Sequence, residues 1–237
     1  MLIRVNDNSL VTGVRVVTGK TLSLLDHTGT LTQKYQARLT LGEEAKELIS
    51  ASDTDRVLKC FGTRVPNRFA GLPTDNPAAD SLLPIVEVFK RISSLVGQLI
   101  KDPGIDQERN RGGELHRKIC LALGYKRTAD DGQFPDVRHQ LLEVKLQTSP
   151  TIDLGLVAPS CEEALDVPQI NDVQIRHCDV RYALLYGQLQ GKGVRLTHFF
   201  LMTGRDFFSR FPQFGGRVLN RKLQIPLPGN FFGIETE

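Results

Sequence analysis

What this chain lacks narrows its chemistry. Its 237 residues include four cysteines, Cys60, Cys120, Cys161 and Cys178, widely spaced and without a CxxC pair. That spacing argues against a zinc ribbon or a disulfide framework, so reduced thiols are expected. No run of eighteen apolar residues occurs. The densest stretch, Leu82 to Ile100, is broken by Glu87, Lys90, Arg91 and Gln98, which excludes an ordinary membrane-spanning helix. The opening MLIRVNDNSL lacks the basic, apolar, small-residue order of a signal peptide. A cytoplasmic location with no membrane partner is the expectation. There is no GxxxxGKS loop and no GxSxG elbow, so nucleotide hydrolysis and serine-hydrolase chemistry have no support. Internal repeats and low-complexity tracts are also absent.

The composition that is present, 40% hydrophobic, suffices for one large domain or a domain with a smaller appendage. A net charge of +3 decides little, but its placement says more. Arg205, Arg210, Arg217, Arg221 and Lys222 face a single acid, Asp206, with Phe207, Phe208, Phe211 and Phe214 interleaved around Gly215-Gly216. Cations mixed with aromatics suit a polyanion such as DNA. The plainer alternative is an edge hairpin with core phenylalanines and solvated arginines.

Along the chain, Val14–Val17, Thr21–Leu25 and Ala37–Thr40 have strand character, separated by turns at 18–20 and 27–29. Gly42 to Leu48 has the acidic first turn of a short helix. The Pro-, Asn- and Asp-rich stretch from Pro66 to Asp80 is the best candidate for a linker or long loop. A helix capped at Asp80 or Ser81 is expected to run to about Lys101, ended by Pro103. A second, from Asp106 to Leu123, carries the stripe Leu115, Ile119, Ala122 and Leu123 and stops at Gly124. A short helix can begin at Ser160, and strong strands are expected at Val180–Leu189 and Arg195–Met202. The pattern predicts an α/β fold: a mixed central sheet flanked by helices, with a small β-rich region over residues 1–75 and the main core over 76–237.

The chemistry concentrates in GQFPDVRHQLLEVKLQTSPTIDLG, residues 132–155. Alternation along LLEVKLQ sends Leu142, Val144 and Leu146 to one face and Glu143, Lys145 and Gln147 to the other. Pro135 biases Phe134 to extended backbone, and Arg138-His139-Gln140 can make a turn bringing Asp136 beside Glu143. Two carboxylates, a backbone carbonyl and waters can hold one hard divalent cation, while Lys145 orients or deprotonates an attacking water. Taken alone, Glu143 and Lys145 also fit a solvated surface pair worth under ~1 kcal/mol.

FPDV followed by LLEVKLQ resembles the PD-(D/E)XK nuclease motif, with Pro135-Asp136 and then Glu143-Val144-Lys145. Glu114 matches the acidic residue that many members carry on the preceding helix, although Glu114 with Lys118 is also an ordinary helix-stabilising pair. The resemblance spans about Glu108 to Gly155, does not cover residues 1–75, and is greatest to type II restriction endonucleases. One departure is that only six residues separate Asp136 from Glu143. The spacing implies either a tight hairpin or Asp136 at the turn itself.

The resemblance implies a restriction-endonuclease-like sheet and magnesium-dependent hydrolysis of double-stranded DNA at a specific short sequence. Asp136, Glu143 and the Val144 carbonyl would hold the metal, and Lys145 and Glu114 would complete the catalytic set. A homodimer and a DNA methyltransferase as genetic partner are further expectations. DNA contacts are expected from Gln147, Ser149, Thr151, Arg176 and the five basic residues between 205 and 222. For Ser149 and Thr151 the alternative is an ordinary turn whose hydroxyls bond their own backbone, and for Arg176 a strand-end salt bridge. Other readings are a junction-resolvase-like repair or recombination nuclease, and a non-catalytic DNA-binding module with a nuclease-like fold.

Overall fold

The computed structural model describes residues 1–18, 35–101, 107–191, 193–213 and 227–233, with the side chains of 107–111 excepted. The strand expected at Thr21–Leu25, the turn at 27–29, Pro103, and Phe214, Gly215, Gly216, Arg217, Arg221 and Lys222 lie outside the described residues. Contacts divide the chain into two units, Met1–Lys34 with Arg221–Glu237, and Tyr35–Asn220. Residues 35–75, expected in the N-terminal region, therefore belong to the larger unit.

The smaller unit contains the antiparallel hairpin of β1 (Leu2–Val5) and β2 (Val11–Arg15). Arg4 and Arg15 lie over the rings of Phe232 and Phe231, at 5.5 and 4.9 Å.

In the larger unit, β6 (Leu142–Gln147), β8 (Arg181–Gln190) and β9 (Gly193–Thr203) are consecutive neighbours in a five-stranded mixed sheet. β6 runs parallel to β8, and β8 antiparallel to β9. The far edge of β9 is shared by β4 (Lys46–Leu48), parallel, and β5 (Leu99–Lys101), antiparallel. β8 is buried on both faces, as a sheet covered on two sides requires. Ala183 and Leu185 pack with α2 (Ile85–Ile92) and α3 (Gln107–Leu123) through Val88, Ile92, Leu115 and Ile119. Tyr182 and Leu184 face the second core. Over that face lie a ribbon of β3 (Tyr35–Arg38) and β7 (Thr151–Gly155), α1 (Asp55–Leu58) and α4 (Phe207–Arg210). The expected mixed sheet flanked by helices is therefore present.

Three local expectations are corrected. The helix predicted to reach Lys101 ends at Ile92, passes through one 3-10 turn and gives way to β5. Gly97 sits at φ 89°, which no helix tolerates, and Leu99–Lys101 gain β9 as a partner instead. The helix expected over Gly42–Leu48 is not formed; Lys46–Leu48 is a strand, because Leu48 is its only large apolar residue and pairing with β9 lays it, partly buried, against the core. The helix expected from Ser160 is replaced by turns. Leu165 N–H bonds Ile175 O at 2.9 Å and Cys178 N–H bonds Cys161 O at 2.9 Å, so this backbone pairs across the chain rather than along it. The second helix stops where Gly124 was expected to stop it, with Gly124 at φ 109°.

Arg181 opens β8 and is fully buried. Its Nε donates to Asp53 Oδ1 at 2.6 Å and its Nη1 to Gln140 O at 3.1 Å, while its backbone N–H bonds Leu141 O at 2.7 Å. Asp53 Oδ2 in turn accepts the Ile85 N–H at the start of α2.

Candidate active site

Val137 and Leu142 form an antiparallel bridge, and the chain between them turns through one 3-10 turn, Arg138–Gln140, with Leu141 at φ 49°. Of the two alternatives left by the six-residue spacing, the tight hairpin is the one formed. It is clamped from outside. Arg138 Nη1 donates to Thr74 O at 2.6 Å, His139 N–H to Pro73 O at 3.0 Å, and Gln140 Nε2 to Ser81 O at 2.7 Å. The segment from Pro66 to Asp80, expected as a linker or long loop, thus braces this hairpin. His139 is a buried turn residue bonded to the Tyr125 hydroxyl at 2.6 Å.

The hairpin brings Asp136, Glu143 and Lys145 together. The Val144 N–H donates to Asp136 Oδ2 at 2.8 Å, and the Asp136 N–H donates to Glu143 Oε2 at 3.3 Å. Lys145 Nζ lies 2.6 Å from Glu143 Oε1. Even-numbered residues of β6 turn their backbone away from β8, as the Val137–Leu142 pair shows. The Val144 carbonyl therefore leaves on the same open edge as its N–H, the edge on which that N–H meets Asp136. The alternation expected of β6 holds, with Leu142, Val144 and Leu146 in the helix-side core.

Burial, and then the negative charge of Glu143, push the Asp136 carboxyl up to about 7, against the Val144 N–H and Lys145, which act the other way. Burial alone would lower the Lys145 pKa, but the Glu143 carboxylate, with Asp136 and Asp153 beyond it, holds it above its ordinary value. Lys145 is therefore an ammonium at neutral pH. It suits charge stabilisation better than proton abstraction, which narrows the two roles expected of it.

From α3, His116 places Nε2 3.3 Å from the Asp136 carbonyl. A carbonyl only accepts, so Nε2 carries the hydrogen in that bond. His116 escaped the sequence reasoning; its signal was a polar residue next to the apolar stripe, with Cys120 one turn on. Glu114, on the same helix, accepts from Nε and Nη2 of Arg117 at 2.8 and 2.9 Å, which lowers its pKa. Its engagement is with Arg117, and no described contact joins it to Asp136 or Glu143.

Beside Glu143 and Lys145 opens a cavity of about 360 Å³, walled by Phe134, His177, Leu154 and the 155–157 turn. Among the described residues no three His, Cys, Asp or Glu side chains gather as a metal cage. The donor set here is instead two carboxylates and a backbone carbonyl, which fits a magnesium ion that keeps several of its waters. The strained ionisation of Asp136 fits it too, because a cation relieves the repulsion between the carboxylates.

The expected DNA contacts are distributed differently. Gln147 is buried on the Glu143–Lys145 face. Ser149 Oγ donates to Thr151 O at 3.3 Å, the turn-internal bond weighed above, and Thr151 opens β7. Arg176 is paired with Glu162 at 2.9 Å. Arg210 pairs with Glu47 at 3.0 Å and lies over Phe200 and Phe211, so it is tied into the fold. Phe207, opening a short helix, and Phe211, just past its end, are core residues, whereas Arg205 is exposed. No family model, no curated protein and no solved structure matches the chain.

Proposed function

We propose that the chain is a magnesium-dependent endonuclease with a restriction-endonuclease-like core, cutting double-stranded DNA at a specific short sequence. It would work as a cytoplasmic homodimer with a DNA methyltransferase as its partner in a restriction-modification system. The observation carrying this reading is that one hairpin joins Asp136, Glu143 and Lys145 through short contacts, with Glu143 and Lys145 lining a cavity and the Val144 N–H bonded to Asp136.

Asp136, Glu143 and the Val144 carbonyl would hold the magnesium ion, which when bound polarises a phosphate and lowers the pKa of a coordinated water. Asp136 would serve as a ligand in its carboxylate form, although burial and Glu143 favour its protonated form in the free protein. Lys145, kept charged by Glu143, offers positive charge to the phosphate oxygens as negative charge develops there. The Asp136 backbone, tied through its N–H to Glu143 and through its carbonyl to His116, keeps the carboxylates in register with each other. Glu114, held by Arg117, would act at longer range, and Arg205, Arg217, Arg221 and Lys222 would meet phosphates.

The test is incubation of the full chain with mixed plasmid DNA, with and without magnesium, beside Asp136→Ala. Discrete magnesium-dependent fragments that vanish in the variant are the expected result. Cutting confined to branched substrates would favour the resolvase-like alternative. Binding without cutting would favour a non-catalytic module.

A further inference from the structure

The cavity beside Lys145 is built for more than a phosphate. Its polar lining is Glu143 and Lys145, whereas Phe134, His177, Leu156 and Val157 make a mostly apolar wall. Phe134 and His177 are stacked, ring centres 5.6 Å apart and planes 23° from parallel. Phe134 is 39% exposed and Leu156 61% exposed, at the side of a cavity that holds the two charged residues. Neither a metal ion nor a phosphate has any use for such a wall. A flat heteroaromatic ring does, since it can extend the ring stack and lay its other face on aliphatic carbon. Burial lowers the His177 pKa, so near neutral pH the ring offers a π-face rather than a charge. A volume of about 360 Å³ falls in the range of small-ligand pockets.

We propose that this cavity receives an unpaired nucleobase of the DNA strand, stacked against the Phe134–His177 pair, while the adjoining phosphate lies at Lys145. The assignment rests on the nuclease reading of Asp136, Glu143 and Lys145, and names the form of DNA that this site takes. A base inside a duplex cannot enter; it must be swung out of the helix or come from a strand already open. Phe134 and His177 would then be specificity-determining residues at the cut.

The chain has five histidines, so its imidazole resonances are few enough to follow individually. The experiment titrates the metal-free protein with a short oligothymidylate and with an abasic deoxyribose-phosphate backbone of equal length and charge. The oligothymidylate is expected to shift the His177 resonances and bind about 5- to 150-fold more tightly than the abasic strand, the range of one base–aromatic stack. Phe134→Ala is expected to erase that difference without changing abasic binding, and Phe134→Leu, which keeps apolar volume, to erase most of it. Unchanged His139 and His198 resonances report that the variants are folded; if either variant is unfolded, the wild-type comparison of the two strands alone decides.

Equal affinity for the two strands, or no movement of His177, overturns the proposal. In calcium, 2-aminopurine fluorescence in single-stranded, mismatched and fully paired DNA separates the sources. A signal with all three means extrusion from the duplex, and a signal with only the first two means capture of an open strand. Base-dependent binding without cutting of any DNA would sink the nuclease reading and leave the pocket standing. Magnesium-dependent cutting that Phe134→Ala leaves unchanged on every substrate, with equal strand affinities, would do the reverse.

Discussion

Replacing Asp136 by asparagine keeps the side chain's shape and removes one charge from a crowded place. The asparagine oxygen can still accept the Val144 N–H, so the hairpin loses no hydrogen bond. What disappears is a carboxyl held at about 7, above its usual 3.8, by burial and by Glu143. The sign follows from proton binding. Between those two values the folded protein holds a proton that the unfolded chain has released, so wild-type stability is full below about 3.8 and declines as pH rises to about 7. Above that, ionised Asp136 costs roughly 2–4 kcal/mol, taking ~1.4 kcal/mol per pH unit and discounting for its charge coupling to neighbouring groups. Asparagine incurs none of this cost. Urea unfolding in EDTA is therefore expected to find Asp136→Asn more stable than wild type by roughly 2–4 kcal/mol at pH 8, and nearly equal to it at pH 4. Magnesium should raise the wild-type midpoint at pH 8 and leave the variant unmoved. A stability difference that is the same at both pH values would refute the account of Asp136 as a repelled carboxyl.

Glu143→Ala is expected to abolish magnesium-dependent cutting while sparing DNA retention in a gel-shift assay; cutting at wild-type rate would remove it from the metal site. Lys145→Met should depress the cutting rate strongly, and calcium should support binding but little cleavage because it activates water less well; comparable rates in calcium and magnesium would count against the chemistry. Arg181→Met should cost about 3–5 kcal/mol in denaturant midpoint, because Asp53 is left charged and buried. Alanine substitution of Arg205, Arg217, Arg221 and Lys222, scanned in salt, should reduce the slope of log affinity by ~1 for each cation that meets a phosphate, and an unchanged slope would mean that the residue meets none.

The site was legible in sequence to the extent that it was local. Alternation in LLEVKLQ and the turn at Arg138–Gln140 depend on neighbours a few residues apart, and both formed as the pattern required. Gly124 likewise carries its own stop signal in its backbone freedom. What stayed hidden was set by distant partners. Leu99 and Ile100 satisfy a helical stripe as well as a strand, and only β9 decides between them. Lys46–Leu48 became a strand for the same reason. The brace from Pro73, Thr74 and Ser81 is made largely by backbone carbonyls, which leave no trace in side-chain identity. Phe134 gave no sign of its stack on His177, because that contact depends on where the turn before β8 lands. Arg176 and Arg210 were expected at DNA for their charge, and acids distant in sequence, Glu162 and Glu47, pair with them instead.

The buried arginine at the start of β8 also acts as a proofreader. Parallel strands can slide, and sliding β6 by one residue would turn Glu143 and Lys145 into the helix-side core and put leucines in the site. A slide of two residues preserves the faces and is harder to reject, since every apolar contact can be remade. Arg181 rejects it. Its Nη1 is matched to the Gln140 carbonyl, and a two-residue shift carries that carbonyl ~6–7 Å away. Among the described residues Nη2 already has no hydrogen-bond partner, so the displaced guanidinium would keep only the hydrogen bond to Asp53. Such an ion pair adds little to the stability of the correct fold, yet it penalises a near-identical wrong one by several kcal/mol. A chain whose two carboxylates meet within one hairpin has more to lose from a slipped strand than from a slightly weaker core.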